Sequence, residues 1–301
     1  MISVTRRLAL CCSVLLIVTA RADSDSWPRT FTDNYATRTL SQPPLRIIST
    51  SVTLTGSLLA INAPVIASGV TASVNRLSDS QGFFRQWGDV ARQRRVLPLG
   101  AGEISLERIA AASPYLILVS ATGGDSALGL YDKLATLAPV IVIRYDDKSW
   151  QTLLTELGHI TGHEQQAAAR ISEFNQALAA MKQQIKLPPQ PVNALVWEAT
   201  TQSANLWTSA SAQGQFLQQA GFTLAPLPDN VHPRATQGKR DDILPLSGEN
   251  IVNGLTGNSL LLFAATDKDV TSLQESPLLQ HQPAVAARQL YAMGAETFRL
   301  A

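Results

Sequence analysis

Short apolar runs alternate with longer amphipathic stretches along most of this chain, the pattern of an α/β protein. Arg46-Ile-Ile-Ser49, Pro64-Val-Ile-Ala67, and the runs 116–120 and 140–143 predict short buried strands, with helices over 53–60 and 127–135 between them. Strands interleaved with helices in this way form a parallel sheet covered on both faces. Before them, residues 23–44 are polar and turn-rich, and Asp33-Asn34 predicts a small hairpin leading into this first lobe. Ser149 caps a predicted helix bearing Trp150, Leu153, Leu154, Leu157 and Ile160, which Gly162 closes. A second helix follows, with Ala167, Ala168, Ile171, Phe174, Leu178, Met181 and Ile185 on one stripe. Lasting to about Lys186, it is roughly 35 Å long, enough to cross from one lobe to another. Pro188-Pro189-Gln-Pro191 stops it, and a second lobe opens with a strand over 192–196. That lobe continues through a helix over 213–220 and a strand-like 222–224, and ends in 289–292 and 297–300. A single connecting helix allows small rocking of the lobes rather than wide closure.

One pattern occurs twice. Ser105-Leu-Glu107-Arg-Ile109 leads into the buried run 116–120 and then Ala121-Thr122-Gly-Gly-Asp125. Ser247-Gly-Glu249-Asn-Ile251 leads into the run 260–264 and then Ala265-Thr266-Asp-Lys-Asp269. Each copy predicts a helix opened by a serine cap with a carboxylate in its first turn, then a strand and a polar loop. A carboxylate there meets the helix dipole favourably, which accounts for either glutamate alone. The matched framework around both implies equivalent exposed positions on two related lobes.

The 301 residues suffice for about two domains, and 45% hydrophobic content with a mean hydropathy of +0.05 fits a globular chain. The first residues read differently. Arg6 and Arg7 precede an apolar segment, 8–19, and Ala20-Arg21-Ala22 offers a small-x-small cleavage site, the organisation of a secretory signal over 1–22. Without Arg6, Arg7 and Arg21, the 24 basic residues fall to 21 against 23 acidic ones, a net charge of −2. Such a balance argues against nonspecific nucleic-acid binding. Cys11 and Cys12 both lie in the signal, and the residues before them are not the small ones of a lipoprotein signal, so a lipid anchor is not expected. An exported chain left without thiols relies on its packed cores, as a periplasmic protein does.

Enzyme signatures are absent: there is no Gly-x-Ser-x-Gly elbow, Walker loop, Gly-x-Gly-x-x-Gly turn or His-Glu-x-x-His. His159 and His163 have chelating spacing, but Gly162 breaks the helix between them, and solvated linker histidines are expected. Thr122-Gly-Gly-Asp125 follows a buried strand, where it is either a turn needing its glycines or a ligand contact. Trp207, in Asn205-Leu-Trp207-Thr208, reads equally as an exposed stacking surface or as core. Arg92, Arg94 and Arg95 read as a solvated helix end, whereas Arg76 and Arg299 fall at expected lobe rims, where they either neutralise an anion or are ordinary surface arginines.

Arg46-Ile-Ile-Ser-Thr-Ser-Val-Thr-Leu-Thr-Gly56, Ser120-Ala-Thr-Gly-Gly-Asp-Ser126, Tyr145-Asp-Asp-Lys-Ser-Trp150, Ser203-Ala-Asn-Leu-Trp-Thr208, Gln237-Gly-Lys-Arg240 and Glu296-Thr-Phe-Arg299 resemble the periplasmic ferric enterobactin-binding proteins across essentially the whole chain after the signal. The resemblance implies a class III periplasmic binding protein, α/β, with two Rossmann-like lobes of mainly parallel sheets joined by one long helix. The expected divisions are a signal at 1–22, an N-terminal lobe at 23–148, an interlobe helical region at 149–187 and a C-terminal lobe at 188–301. The resemblance implies a binder rather than an enzyme, a monomer without a cofactor, whose iron arrives only inside a ferric catecholate siderophore and is delivered to an inner-membrane ABC permease. It places ligand contacts at Arg76, Trp207 and Arg299, with Lys239 and Arg240 as weaker candidates, and permease contacts at Glu107 and Glu249. Another iron chelate or haem is the nearest alternative ligand, haem being favoured by a cleft tyrosine or histidine; a secreted hydrolase using Asp125 or Glu249 is the alternative of another class. Family members continue past Phe-Arg-Leu with a further helix, whereas this sequence stops at Ala301, which implies an uncovered face on the second lobe.

Overall fold

A computed structural model describes residues 26–72, 77–101, 103–234, 241–295 and 297. The segment read as a signal, and all but Thr297 of 296–301, lie outside these residues. The hairpin comes first: β1 (Arg29–Thr32) and β2 (Thr37–Leu40) are antiparallel, and Asp33 Oδ1 accepts the backbone N–H groups of Tyr35 and Ala36 at the turn.

Then β3 (Ile47–Ser49), α1 (Val52–Ala60), β4 (Val65–Val70), α2 (Gly88–Gln93), β5 (Leu97–Ala101), α3 (Leu106–Ala111), β6 (Leu116–Ser120), α4 (Tyr131–Ala135) and β7 (Val140–Ile143) form the first lobe. Its sheet has the order β5-β4-β3-β6-β7, and every pairing is parallel. The two-residue period of the strands divides the core cleanly. Ile47, Leu116, Leu118, Ile141 and Ile143 face α1, α2 and the helix after β7, while Ile48, Ile117, Val119 and Val140 face α3 and α4.

α5 (Trp150–Thr161) is capped by Ser149, whose hydroxyl accepts the Thr152 N–H, and closes at Gly162 in the left-handed conformation. α6 (Glu164–Lys182) joins the halves: Ala167 and Ile171 pack in the first lobe, Leu178 and Met181 on the second. At 19 residues it measures about 28 Å, shorter than the sequence stripe suggests. Gln183 and Gln184 form a turn before Leu187, which precedes Pro188 and is thereby biased away from helical geometry.

The second lobe comprises β8 (Val192–Glu198), β9 (Ser203–Trp207), α7 (Ala212–Gln219), β10 (Ile243–Ser247), α8 (Glu249–Gly254), β11 (Ser259–Leu262), α9 (Asp267–Gln274), α10 (Pro283–Ala286) and β12 (Leu290–Ala292). Its order β10-β9-β8-β11-β12 is mixed, antiparallel on the β9 and β10 side and parallel on the other. The expected strand at 222–224 reduces to a single bridge, Leu224 to Val192. The repeated serine cap holds only in its first copy. Ser105 Oγ accepts the Arg108 N–H, but Ser247 is held in β10 opposite Ser203, and Gly248 at φ 57° makes the turn into α8 in its place.

Phe174 on α6 meets Trp150 at 4.7 Å and Phe216 of α7 at 6.0 Å between ring centroids, so one side chain touches rings of both lobes. Phe174→Leu removes two edge-to-face ring contacts and should lower unfolding stability by about 1–3 kcal/mol, measured by urea denaturation followed by circular dichroism.

Candidate functional site

The first lobe's chain runs outward from β3 to β5 and then returns to the other side of β3 at β6. The loops leaving β3 and β6 therefore diverge at a topological switch point, where open parallel sheets form a crevice beyond their carboxyl ends. A cavity of about 1030 Å³ lies there, lined by Thr50, Thr53, Gly69, Phe84, Gly100, Glu103 and Asp125 among others.

Asp125 organises its floor. Its Oδ2 accepts the Ser51 hydroxyl at 2.6 Å and the Thr53 N–H at 3.0 Å, both at the start of α1, and its Oδ1 accepts the Tyr145 hydroxyl at 3.2 Å. A carboxylate at a helix N-terminus is favoured by the unpaired N–H groups and the helix dipole. Thr122 adds a second tie, its hydroxyl donating to Asp146 Oδ1 at 2.8 Å, and Arg144 Nε also donates to Asp146. The loop 121–125 is thus the glycine turn expected from sequence, with Gly123 at φ 89°, and it also borders the cavity through Gly124 and Asp125.

A second, narrower space of about 70 Å³ lies in the seam between the lobes. Thr53, Phe84, Trp87, Tyr145 and Trp150 line one side, and Trp207, Ser211, Gln213 and Asp242 the other. Thr53 and Phe84 border both spaces.

Trp207 is the one expected ligand residue that the described residues contain. It stands in the seam, yet is only 5% exposed and packs with Leu217 and Phe222 under α7, so the exposed-surface reading does not hold. Arg76, Lys239, Arg240 and Arg299 lie outside the described residues. Their described neighbours are informative: Ala72 and Leu77, on either side of 73–76, both line the large cavity, and Asp242 lines the seam. Thr297 Oγ1 accepts the Ala264 N–H beyond β11.

Glu107 and Glu249 are exposed at the first turns of α3 and α8, one on each lobe. Glu107 borders a shallow groove between α3 and α4, apart from the cavity. His159 and His163 are separated by Gly162 as expected: His159 lies beside Arg29 and Glu164, while His163 Nδ1 is 2.9 Å from the Thr161 carbonyl. Among the described residues no group of three or more His, Cys, Asp or Glu forms a metal cluster, and no helix is long and apolar enough to cross a membrane.

Sequence reasoning missed Thr53 and Tyr145. Tyr145 lines the seam but is 9% exposed, packs in the first lobe's core and donates to Asp125. The charged described residues around the large cavity, Glu103 and Asp125, are both acidic, and Lys148 in the seam is paired with Glu156 at 2.7 Å.

Two sheet lobes joined by α6, with a cavity at one switch point and a seam between them, define a two-lobed solute-binding protein. The chain belongs to the periplasmic binding protein family, whose model matches residues 47–297. It is 58% identical over 295 residues to the ferric enterobactin-binding periplasmic protein FepB of Escherichia coli O6:H1, covering 98% of this chain and 93% of that one. The crystal structure of holo-ViuP superposes with a TM-score of 0.82 at 32% identity, covering 91% of this chain and 90% of that one. Staphylococcus aureus SirA complexed with staphyloferrin B shares the fold, with a TM-score of 0.65 at 15% identity over 87% of this chain and 88% of that one.

Gly123→Ala would place a Cβ 1.9 Å from the Tyr145 hydroxyl oxygen on a backbone at φ 89°. The strain and the displaced Tyr145–Asp125 bond should cost about 2 kcal/mol or more, seen as a lower thermal midpoint in circular dichroism.

Proposed function

We propose that this chain captures ferric enterobactin, or a related ferric catecholate siderophore, in the periplasm and hands it to an inner-membrane ABC importer. The observation that carries this reading is the 58% identity to the ferric enterobactin-binding protein, sustained over 98% of the chain and therefore through both lobes and the seam. On this reading residues 1–22 are a cleaved secretory signal, 23–148 and 188–301 are the lobes, 149–187 joins them, and the protein acts as a monomer that performs no chemistry.

The ligand is a trianion made of catechol rings around iron, and the iron remains cargo rather than a resident cofactor. Because the described cavity walls are acidic, its charge is met by Arg76 and Arg299, with Lys239 and Arg240 as weaker contacts. Arg76 belongs to a short segment whose described flanks both border the cavity, which supports that role. Trp207 contributes a ring at the seam. Glu107 and Glu249, exposed and on separate lobes, meet basic residues of the permease, where paired charges set orientation and on-rate more than affinity.

Titration with ferric enterobactin should quench tryptophan fluorescence, since Trp207 would lie near the iron-catecholate chromophore. An unchanged signal at micromolar ligand, from protein shown to be folded, rejects the ligand assignment. Replacing both glutamates, Glu107→Lys with Glu249→Lys, should abolish most siderophore uptake while affinity stays within about twofold of the unmodified protein, because the two contacts lie outside the ligand space. A large loss of affinity in that double variant rejects the docking role.

A further inference from the structure

Polar side chains at the head of α1 are almost all engaged. The Thr50 hydroxyl donates to the Leu118 carbonyl at 3.2 Å; Ser51 Oγ donates to Asp125 and accepts the Leu54 N–H; the Thr55 hydroxyl donates to the Ser51 carbonyl at 2.9 Å and lies 2.7 Å from Ser68 Oγ. Thr53 is the exception. Its backbone N–H goes to Asp125, but its Oγ1 is buried and has no hydrogen-bond partner among the described residues. A threonine in a helix commonly turns its hydroxyl back onto a carbonyl of the preceding turn, as Thr55 does here. Thr53, at the second position of α1, has no preceding helical turn to receive its hydroxyl, and a buried hydroxyl without a partner weakens the folded state.

The position of Thr53 explains what keeps it there. It borders both the 1030 Å³ cavity and the interlobe seam, opposite Trp207, at the switch point where the loops after β3 and β6 diverge. Asp125 already satisfies the helix N-terminus and orients this turn, so at the head of α1 the Thr53 hydroxyl is left to offer a ligand, and it alone of the α1 hydroxyls borders both spaces.

We propose that Thr53 is a specificity-determining ligand contact whose hydroxyl, uncovered as the lobes part along the seam, donates a hydrogen bond to an oxygen of the bound ferric catecholate. This rests on the ligand class proposed above. A hydroxyl donor selects an oxygen-rich chelate face and gains nothing from an apolar one, and it acts without adding charge to a cavity wall that is already acidic.

The test is a fluorescence titration of the full chain with ferric enterobactin, comparing the unmodified protein with Thr53→Val and Thr53→Ser, alongside urea unfolding of each. Valine keeps the shape and removes the hydroxyl; serine keeps the hydroxyl. Thr53→Val should bind about tenfold more weakly, Thr53→Ser within about twofold of the unmodified protein, and the unfolding midpoint of Thr53→Val should be equal or higher, because an unsatisfied group has been removed. A Thr53→Val protein that binds as well as the unmodified one overturns the assignment. So does one whose affinity and unfolding midpoint fall together, since the hydroxyl would then be structural. If the unmodified protein itself fails to bind ferric enterobactin, the ligand class falls and this assignment with it, a result distinct from unaltered binding by Thr53→Val.

Discussion

The carboxylate of Asp125 holds together the part of the molecule on which the first lobe's binding surface depends. Parallel strands on either side of a switch point send their loops in opposite directions, and nothing in the sheet itself ties those loops to each other. Asp125, on the loop after β6, reaches the head of α1 through Ser51 and Thr53 and the loop after β7 through Tyr145. One side chain thereby fixes three segments that the sheet leaves free. The same contacts answer the unpaired N–H groups of α1, so the helix and the cavity floor share one source of order. Gly123 makes this possible, since the turn that aims Asp125 needs a left-handed residue and leaves no room for a Cβ beside Tyr145.

The halves of the molecule are coupled more loosely. α6 packs its first turns on one core and its later turns on the other, with little of it buried beyond Ala167. Phe174 sits between these contacts, touching a ring on each side. A helix keeps its length, and edge-to-face rings tolerate small changes of angle, a joint of the kind that permits small rocking rather than wide closure. The seam between the two walls is narrow, about 70 Å³, against about 1030 Å³ for the cavity beside it.

Strands with continuous apolar runs were legible in the sequence, as in 116–120 inside the first sheet and 140–143 at its edge. The edge strands β5 and β10 were not. β5 contains Pro98 and β10 contains Pro245, residues that argue against a strand in the middle of a sheet and are tolerated at its edge, which is where both lie. For Trp207 the local sequence left an exposed stacking surface and a core position equally open, and burial to 5% exposure decides for the core. Thr53 carried no signal, because a threonine in a helix is unremarkable until its hydroxyl is seen to lack a partner. Asp125 was visible as part of a turn, while its reach to Ser51, 74 positions earlier, belongs to tertiary structure alone.

The repeated Ala-Thr-x-x-Asp loops show how one pattern comes to do two things. In the second copy Asp267 and Lys268 continue directly into α9, so Asp269 falls at the third helical position and accepts the Thr266 N–H in a capping box, closing the loop on itself. In the first copy Gly-Gly stands where Asp-Lys does, Gly123 at φ 89° diverts the chain from helix, and the aspartate is released to bind another element. The two lobes therefore share a framework but not a surface. A self-contained cap makes the second loop a structural stop, whereas the first becomes a polar floor with an adjoining hydroxyl left unpaired. The asymmetry between the two loops arises from these two glycines together with the course of the chain, since β3 leads into α1 while β8 turns back antiparallel into β9 and offers no helix head there.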